Sequence, residues 1–367
     1  MPSPSPTESS QQKRVLSGLR PTGGVHVGHL VGALGNWVQI QEKFDCYFFI
    51  ADWHALTTHY ADTSQIQKYS LENLMDLLAA GLDPKRAVLF LQSRVSEHAE
   101  LHLLLSQVTP LGWLERVPTY KEQRENIRDK DLGTYGFLGY PVLQAADILI
   151  YKADFVPVGE DQVAHVELTR EICRRFNGFY GPIFPEPRPM LTSFPRLPGT
   201  DGRKMSKSYG NAIFLSDTEQ EIRTKVSSML TDPARARKSD PGNPDVCPLF
   251  SFHKIFSPPA TVEMVNRECR RAGIGCVEDK KLMADSLVQA LSPIRERRIE
   301  YEKNPKQVWD ILEEGSKKAS RIAQQTMEEV RDGMNLSRTF QSPVRAAKAD
   351  QKPKKPAPAK KEKSTSD

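Results

Sequence analysis

From Arg14 onward, short apolar runs alternate with longer stretches whose apolar residues recur every three or four positions. RVLSGL (14–19), CYFFIAD (46–52), AVLFLQ (87–92) and DFVPV (154–158) have the length and side-chain content of buried strands. Between them, GHLVGALGNWVQIQEK and SQIQKYSLENLMDLLAAG carry helical spacing. In the second, Leu71, Leu74, Met75 and Leu78 share one face, and Gly81 stands where a helix stops. This alternation predicts an α/β fold with right-handed βαβ crossovers, a parallel sheet and ligands at the strands' C-terminal ends. Residues 96–150 read as mainly helical, a cover for the sheet edge, and EDQVAHVELTREICRRF (160–176) reads as helix. Ser216 and Glu219 have the spacing of a capping box ahead of DTEQEIRTKVSSML. From there to about 336 the pattern is helical throughout, and no internal repeat is visible.

Composition sharpens this picture at the ends. With 367 residues and 38% hydrophobic content, the chain can bury a sizeable core and has the length of two domains. Residues 1–12 are Pro-, Ser- and Gln-rich, and KADQKPKKPAPAKKEKSTSD at the other end is Lys/Pro/Ala-rich, so both are expected to be disordered tails. Residues 345–367 hold eight Lys/Arg against three Asp/Glu, which is the whole of the chain's formal +5. The remainder is neutral, so the body is no uniformly cationic nucleic-acid coat. The basic tail reads either as a solvated segment or as a weak tether to RNA or a membrane surface. No apolar run approaches the ~20 residues of a membrane helix, and MPSPSPTESSQQKR lacks the apolar stretch of a secretory signal. Five unevenly spaced cysteines make no disulfide framework, so a cytoplasmic protein is expected.

Four constellations could carry chemistry. In SGLRPTGGVHVGH (17–29) a strand passes into a helix through a glycine-rich turn holding His26 and His29. Unpaired N–H groups at such a helix start attract anions, glycines let phosphate approach the backbone, and imidazoles donate to developing charge. The alternatives are a plain tight turn or half of a zinc site, which would need further ligands. In YPVLQAADILIY (140–151), Asp147 lies in an otherwise apolar helix with Gln144 three residues earlier on the same face. A buried carboxylate needs a donor, supplied either by an internal pair or by a ligand. VPVGEDQ is a second strand-to-helix switch, where Gly159, Glu160 and Asp161 offer a ribose or base site or a simple acidic cap. GRKMSKSYGN (202–211) sets Lys204 and Lys207 three apart beside Ser206 and Ser208. It is either an exposed linker or a strap that folds over a polyphosphate, with Gly202 and Gly210 as candidate hinges.

Together these residues resemble class I aminoacyl-tRNA synthetases. HVGH (26–29) is similar to the first signature of that class, and KMSKS (204–208) matches the second letter for letter. ADWHALTTHY, YPVLQAADILIYKADFVPVGEDQVAHVELTREICRRFN and LPGTDGRKMSKSYGN narrow the resemblance, over about 14–336, to the tryptophanyl-tRNA synthetases. The resemblance implies a Rossmann-like catalytic domain over 13–215 with a helical insertion at about 96–150. It also implies an all-helical anticodon-binding region over 216–340, followed by the tail at 341–367. His26, His29, Lys204 and Lys207 would be catalytic. Arg20, Pro21, Thr22, Gly28 and His29 would bind ATP, with Gly159, Glu160 and Asp161 around ribose and adenine. Leu197 would touch adenine, and Met205, Ser206 and Ser208 would act with the two lysines. Asp147 would accept the indole N–H, with Gln144, His54, Val156 and Val158 lining the pocket. Sites that read a polar group in this way discriminate by ~10⁴–10⁵. The implied partners are L-tryptophan, ATP with Mg²⁺, tRNA(Trp) and a second copy of the chain, with no membrane.

Some relatives of this kind bind an iron–sulfur cluster through four cysteines ending C-x₆-C-x₂-C. Here Cys247, Cys269 and Cys276 are present, but Asp279 stands where the fourth thiolate would be. The alternative is three ordinary cysteines in a helical region. Lys280 and Lys281 beside them are candidate tRNA contacts. The nearest rival is a tyrosine-specific synthetase, against which Ala145-Ala146-Asp147 and the GEDQ-to-ELTR segment favour tryptophan. A small-molecule adenylyltransferase and a non-catalytic RNA-binding relative are the others; the intact KMSKS and the intact histidines weigh against them.

Overall fold

A computed structural model describes residues 12–118, 120, 131–191, 197–235 and 237–336. Apart from Gln12, both predicted tails lie outside the described residues, as do the side chains of Asp161 and Ser208.

Five parallel strands form the sheet, in the order β3-β2-β1-β4-β5. They are β1 (Arg14–Leu19), β2 (Asp45–Ile50), β3 (Ala87–Leu91), β4 (Phe155–Val158) and β5 (Arg188–Leu191). The chain lays β2 and β3 to one side of β1, then β4 and β5 to the other. Strand order therefore reverses between β1 and β4, and the loops beyond their C-terminal ends diverge to leave a crevice. β5 was not expected from the sequence. Its Arg188-Pro189 pair breaks an apolar pattern, and proline is tolerated because this strand lies at the sheet edge.

Along β2 and its end, Cys46, Phe48 and Ile50 join one hydrophobic cluster while Tyr47, Phe49 and Ala51 join another. This period of two buries both faces of the sheet. The first face is covered by α2 (Gly35–Ile40), α4 (Ile66–Ala80) and the 28-residue α12 (Cys276–Lys303). The second packs under α5 (Glu97–Ser106), α7 (Tyr135–Ile150), α8 (Val163–Tyr180) and the later turns of α13 (Pro305–Gly333). Gly81 ends α4 at φ 117°, the left-handed stop its position predicts. At Gly315, α13 lies so close to β3 that an added Cβ would fall 1.8 Å from the Leu89 carbonyl oxygen. Among the described residues the remaining helices are α1 (Val27–His29), α3 (Asp52–His59), α6 (Leu111–Glu115), α9 (Glu219–Ser227), α10 (Pro248–Phe256) and α11 (Pro259–Arg270).

Three details depart from the sequence reading. The first helix is interrupted by a π-helical stretch, Leu30–Leu34, between α1 and α2. The capping box of α9 is formed by Thr218 and Glu221 rather than Ser216 and Glu219. Thr218 wins because its hydroxyl accepts the Glu221 N–H at 3.2 Å while the Glu221 carboxylate accepts the Thr218 N–H at 2.7 Å. Among the described residues of 229–247, helix is confined to one short turn at Pro244–Val246; Asp232 and three prolines set this stretch instead.

Candidate active site

The turn after β1 is built around its own backbone. Gly23 takes φ 133°, a conformation that favours glycine, and the Val25 N–H is held by the buried Asp76 carboxylate at 3.1 Å. His26 then caps α1. Its Nδ1 accepts the His29 N–H, while the Nδ1 of His29 accepts the His26 N–H, both at 3.3 Å. The rings stack with centroids 3.6 Å apart. Because each Nδ1 is an acceptor, both imidazoles are neutral and carry their proton on Nε2, where it can be donated outward. Burial, followed by the nearby Lys207, pushes His26 down to about 4. Burial, then the neighbouring His26 and Lys207, hold His29 well below its ordinary value.

The KMSKS segment lies directly over this turn. Lys207 Nζ donates to the Gly23 carbonyl at 2.7 Å, and a Cβ at Gly23 would fall 2.9 Å from Lys207 Cδ. Burial, aided by Arg20 and opposed by Asp76, lowers Lys207 to about 8. Met205 is buried with its sulfur against Gly28, and Leu197 is buried in the same hydrophobic cluster. Asn211 gives the segment its shape. Its Oδ1 accepts the Ser206 N–H at 2.8 Å, and its Nδ2 donates to Asp201 Oδ1 at 2.7 Å and the Lys204 carbonyl at 3.1 Å. The chain beyond is tied to the first turn, with Val27 N–H donating to Ile213 and Leu215 N–H to Val25, both at 2.9 Å. Gly202 and Gly210 flank the segment at φ 80° and 64°. Lys204 is exposed and pairs through its backbone with Pro198.

Between β1, β4 and α7 opens a cavity of about 360 Å³. Of the residues expected at the site, it is lined by Arg20, His29, His54, Gln144, Asp147, Val156, Val158 and Gly159. Pro21, Thr22, His26, Gly28, Glu160, Leu197, Lys204, Met205, Ser206 and Lys207 are not among the residues that line it. Asp147 is almost completely buried and bound on both oxygens. Oδ2 meets His54 Nε2 at 2.7 Å, and Oδ1 accepts from His98 Nδ1 at 2.5 Å and Gln92 Nε2 at 2.8 Å. Burial alone would raise its pKa, but the hydrogen bonds from His54 and His98 outweigh this and hold the carboxyl below its ordinary value. Both readings of Asp147 thus apply at once: it is internally paired, and it faces a cavity.

Sequence reasoning missed Asp76, Gln92, His98, Asn211 and Tyr151. Gln92 alone left a signal, as the polar end of an otherwise apolar strand.

The cysteine region does not fit an iron–sulfur cluster. Cys247, Cys269 and Cys276 are free thiols, and burial raises Cys247 and Cys269. Asp279, in the fourth position, has its Oδ1 3.0 Å from His253 Nε2. Among the described residues, no group of three or more His, Cys, Asp or Glu side chains stands where it could hold a metal ion. Lys280 donates to the Ser227 carbonyl at 2.8 Å, and Lys281 is exposed beside it.

Known proteins agree with this geometry. Residues 8–292 match the family of class I tRNA synthetases for tryptophan and tyrosine. The tryptophan–tRNA ligase of Thermotoga maritima is 55% identical over 325 residues, covering 88% of this chain and 99% of that one. That of Aquifex aeolicus is 46% identical over 393 residues, covering 88% and 100%. The crystal structure of Campylobacter jejuni tryptophanyl-tRNA synthetase complexed with ADP and tryptophan superposes with a TM-score of 0.81 at 35% identity, covering 88% of this chain and all of that one. With a switch-point crevice, a doubly capped histidine turn and a buried carboxylate in an apolar cavity, the chain belongs to the class I tRNA synthetases, within them to the tryptophan–tRNA ligase family.

Proposed function

We propose that this chain activates L-tryptophan with ATP and transfers it to tRNA(Trp). The observation that carries the reading is Asp147, an ionised acceptor in an apolar cavity that also reaches His29 and Gly159. Indole N–H can only donate, so a carboxylate at that place gives tryptophan a hydrogen bond that phenylalanine cannot make. Val156 and Val158 would flank the ring, with Gln144 and His54 at its edges. In the first step a tryptophan carboxylate oxygen attacks the α-phosphorus of ATP. The bond to the β-phosphate oxygen breaks and pyrophosphate leaves. Catalysis of this kind is positioning and charge stabilisation, with no side-chain nucleophile. His26 and His29 would offer their Nε2–H groups to the phosphates, with Arg20, Pro21, Thr22 and Gly28 shaping the bed. Lys204, Lys207, Met205, Ser206 and Ser208 would close over the triphosphate, while Gly159, Glu160, Asp161 and Leu197 serve ribose and adenine. Mg²⁺ arrives as the ATP complex, held by phosphate oxygens. In the second step the terminal 2′-hydroxyl of the tRNA attacks the acyl carbon and AMP leaves.

The division follows the sequence reading: a catalytic domain over 13–215 with the insertion at about 96–150, and an anticodon-binding region over 216–340 that presents Lys281. A symmetric dimer is part of the proposal. Leu56, Tyr60 and Tyr135 are exposed around one groove, and Leu103 and Leu111 are exposed on α5 and α6. Among the described residues no helix is long and apolar enough to cross a membrane, and a cytoplasmic site of action fits the reaction. Charging of a tRNA(Trp) transcript tests the function. The protein should attach tryptophan and not tyrosine; tyrosine attachment, or none, overturns the proposal.

A further inference from the structure

We infer that Tyr151, His98 and Gln92 are positioning residues for indole selectivity: they fill one oxygen of Asp147 and leave the other as the acceptor presented to the amino acid. The inference rests on the proposed tryptophan activation and adds residues that touch neither substrate.

Asp147 Oδ1 receives two donors, His98 Nδ1 at 2.5 Å and Gln92 Nε2 at 2.8 Å, so it has no capacity left for a ligand. Oδ2 receives His54 Nε2 alone, at 2.7 Å. Of these three partners only His54 lines the cavity, so the oxygen with spare capacity is the one on the cavity side. The orientation depends on the protonation of His98. An ionised carboxylate is acceptor-only, so Nδ1 must carry the proton that meets Oδ1, and a neutral ring then presents a bare Nε2. That nitrogen lies 2.7 Å from the Tyr151 hydroxyl. Burial, then the charge of Asp147, holds the Tyr151 phenol well above its ordinary pKa, so it is always available as the donor. Tyr151, one helical turn after Asp147, thereby selects the His98 tautomer that donates to Asp147.

Every member is buried: Gln92, His98 and Tyr151 are fully inaccessible and Asp147 is 1% exposed. Without the phenol, the ring can carry its proton on Nε2 and turn a lone pair toward the carboxylate, which frees Oδ1 and lets the whole group rotate.

The test compares tryptophan with β-(3-benzothienyl)alanine, which keeps the fused-ring shape and places sulfur where tryptophan has N–H. In amino-acid-dependent pyrophosphate exchange, Tyr151→Phe should lower kcat/KM for tryptophan about tenfold, the scale of a lost charge-assisted hydrogen bond, and shift that of the analogue less than about twofold. Gln92→Met reaches the same oxygen from the β3 side and should give the same split, which keeps the test sound should one variant fold poorly. Equal losses for both substrates, or no loss for either, would overturn the inference. Wild-type protein that fails to use tryptophan at all would instead overturn the proposed function.

Discussion

In the proposed mechanism, Lys207 is the residue on which the chemistry and its pH dependence meet. It is half-buried, bound to the Gly23 carbonyl and lowered to about 8 by burial. A lysine acts on phosphate only as the ammonium, so free enzyme loses it as pH rises through about 8, well before an ordinary lysine would titrate. kcat/KM for ATP in pyrophosphate exchange should therefore fall on the alkaline side with a limb near that value. Lys207→Ala should abolish the limb and reduce exchange by at least ~10²-fold, the scale of a lost transition-state contact, while tryptophan affinity changes little. An unchanged exchange rate would remove Lys207 from the mechanism. Residues of this kind were legible in the sequence because signatures place them. Asp147 was legible because a carboxylate in an apolar helix demands an explanation. Its partners were not, since His98 and Gln92 come from positions 49 and 55 residues away and have no spacing relation to it.

At the scale of elements, α4 couples the helical region to the histidine turn. Asp76, on its buried face, accepts the Val25 N–H with one oxygen and Arg298 Nε of α12 with the other, at 2.6 Å. Arg297 of α12 donates to the Ala79 carbonyl at 2.6 Å. Arg298→Ala leaves a buried carboxylate without its cation, which should cost about 3–5 kcal/mol in a denaturant titration. A change under ~0.5 kcal/mol would mean that the pair is immaterial. Periodicity predicted four of the five strands and α4 with its glycine stop. It did not predict β5, because an edge strand needs few apolar residues, nor the π-helical stretch after His29, because that depends on tertiary packing. The capping box of α9 was placed two residues early because two S/T-x-x-E patterns overlap there, and only backbone geometry decides between them.

Across the whole molecule, the proposed active site draws on parts distant in sequence. β1 and β4 provide the crevice, α7 provides Asp147, and the segment from Asp201 to Leu215 closes against the first turn. The exposed apolar groove at Leu56, Tyr60 and Tyr135 lies on the outer side of α3 and α7, the helices that bear His54 and Asp147. Tyr135→Asp together with Leu56→Asp should convert a dimer to a monomer in sedimentation velocity, and an unchanged dimer would place the interface elsewhere. The sequence also left an iron–sulfur cluster open, because spacing alone cannot reveal that no group of three or more His, Cys, Asp or Glu side chains is placed to hold a metal among the described residues. The central claim, that this architecture activates tryptophan, is tested most directly by exchange of labelled pyrophosphate into ATP with each amino acid in turn. Tryptophan should drive exchange, with tyrosine and phenylalanine lower by ~10⁴-fold or more, the discrimination a buried polar contact supplies. Exchange driven equally well by tyrosine, or independent of any amino acid, would contradict it.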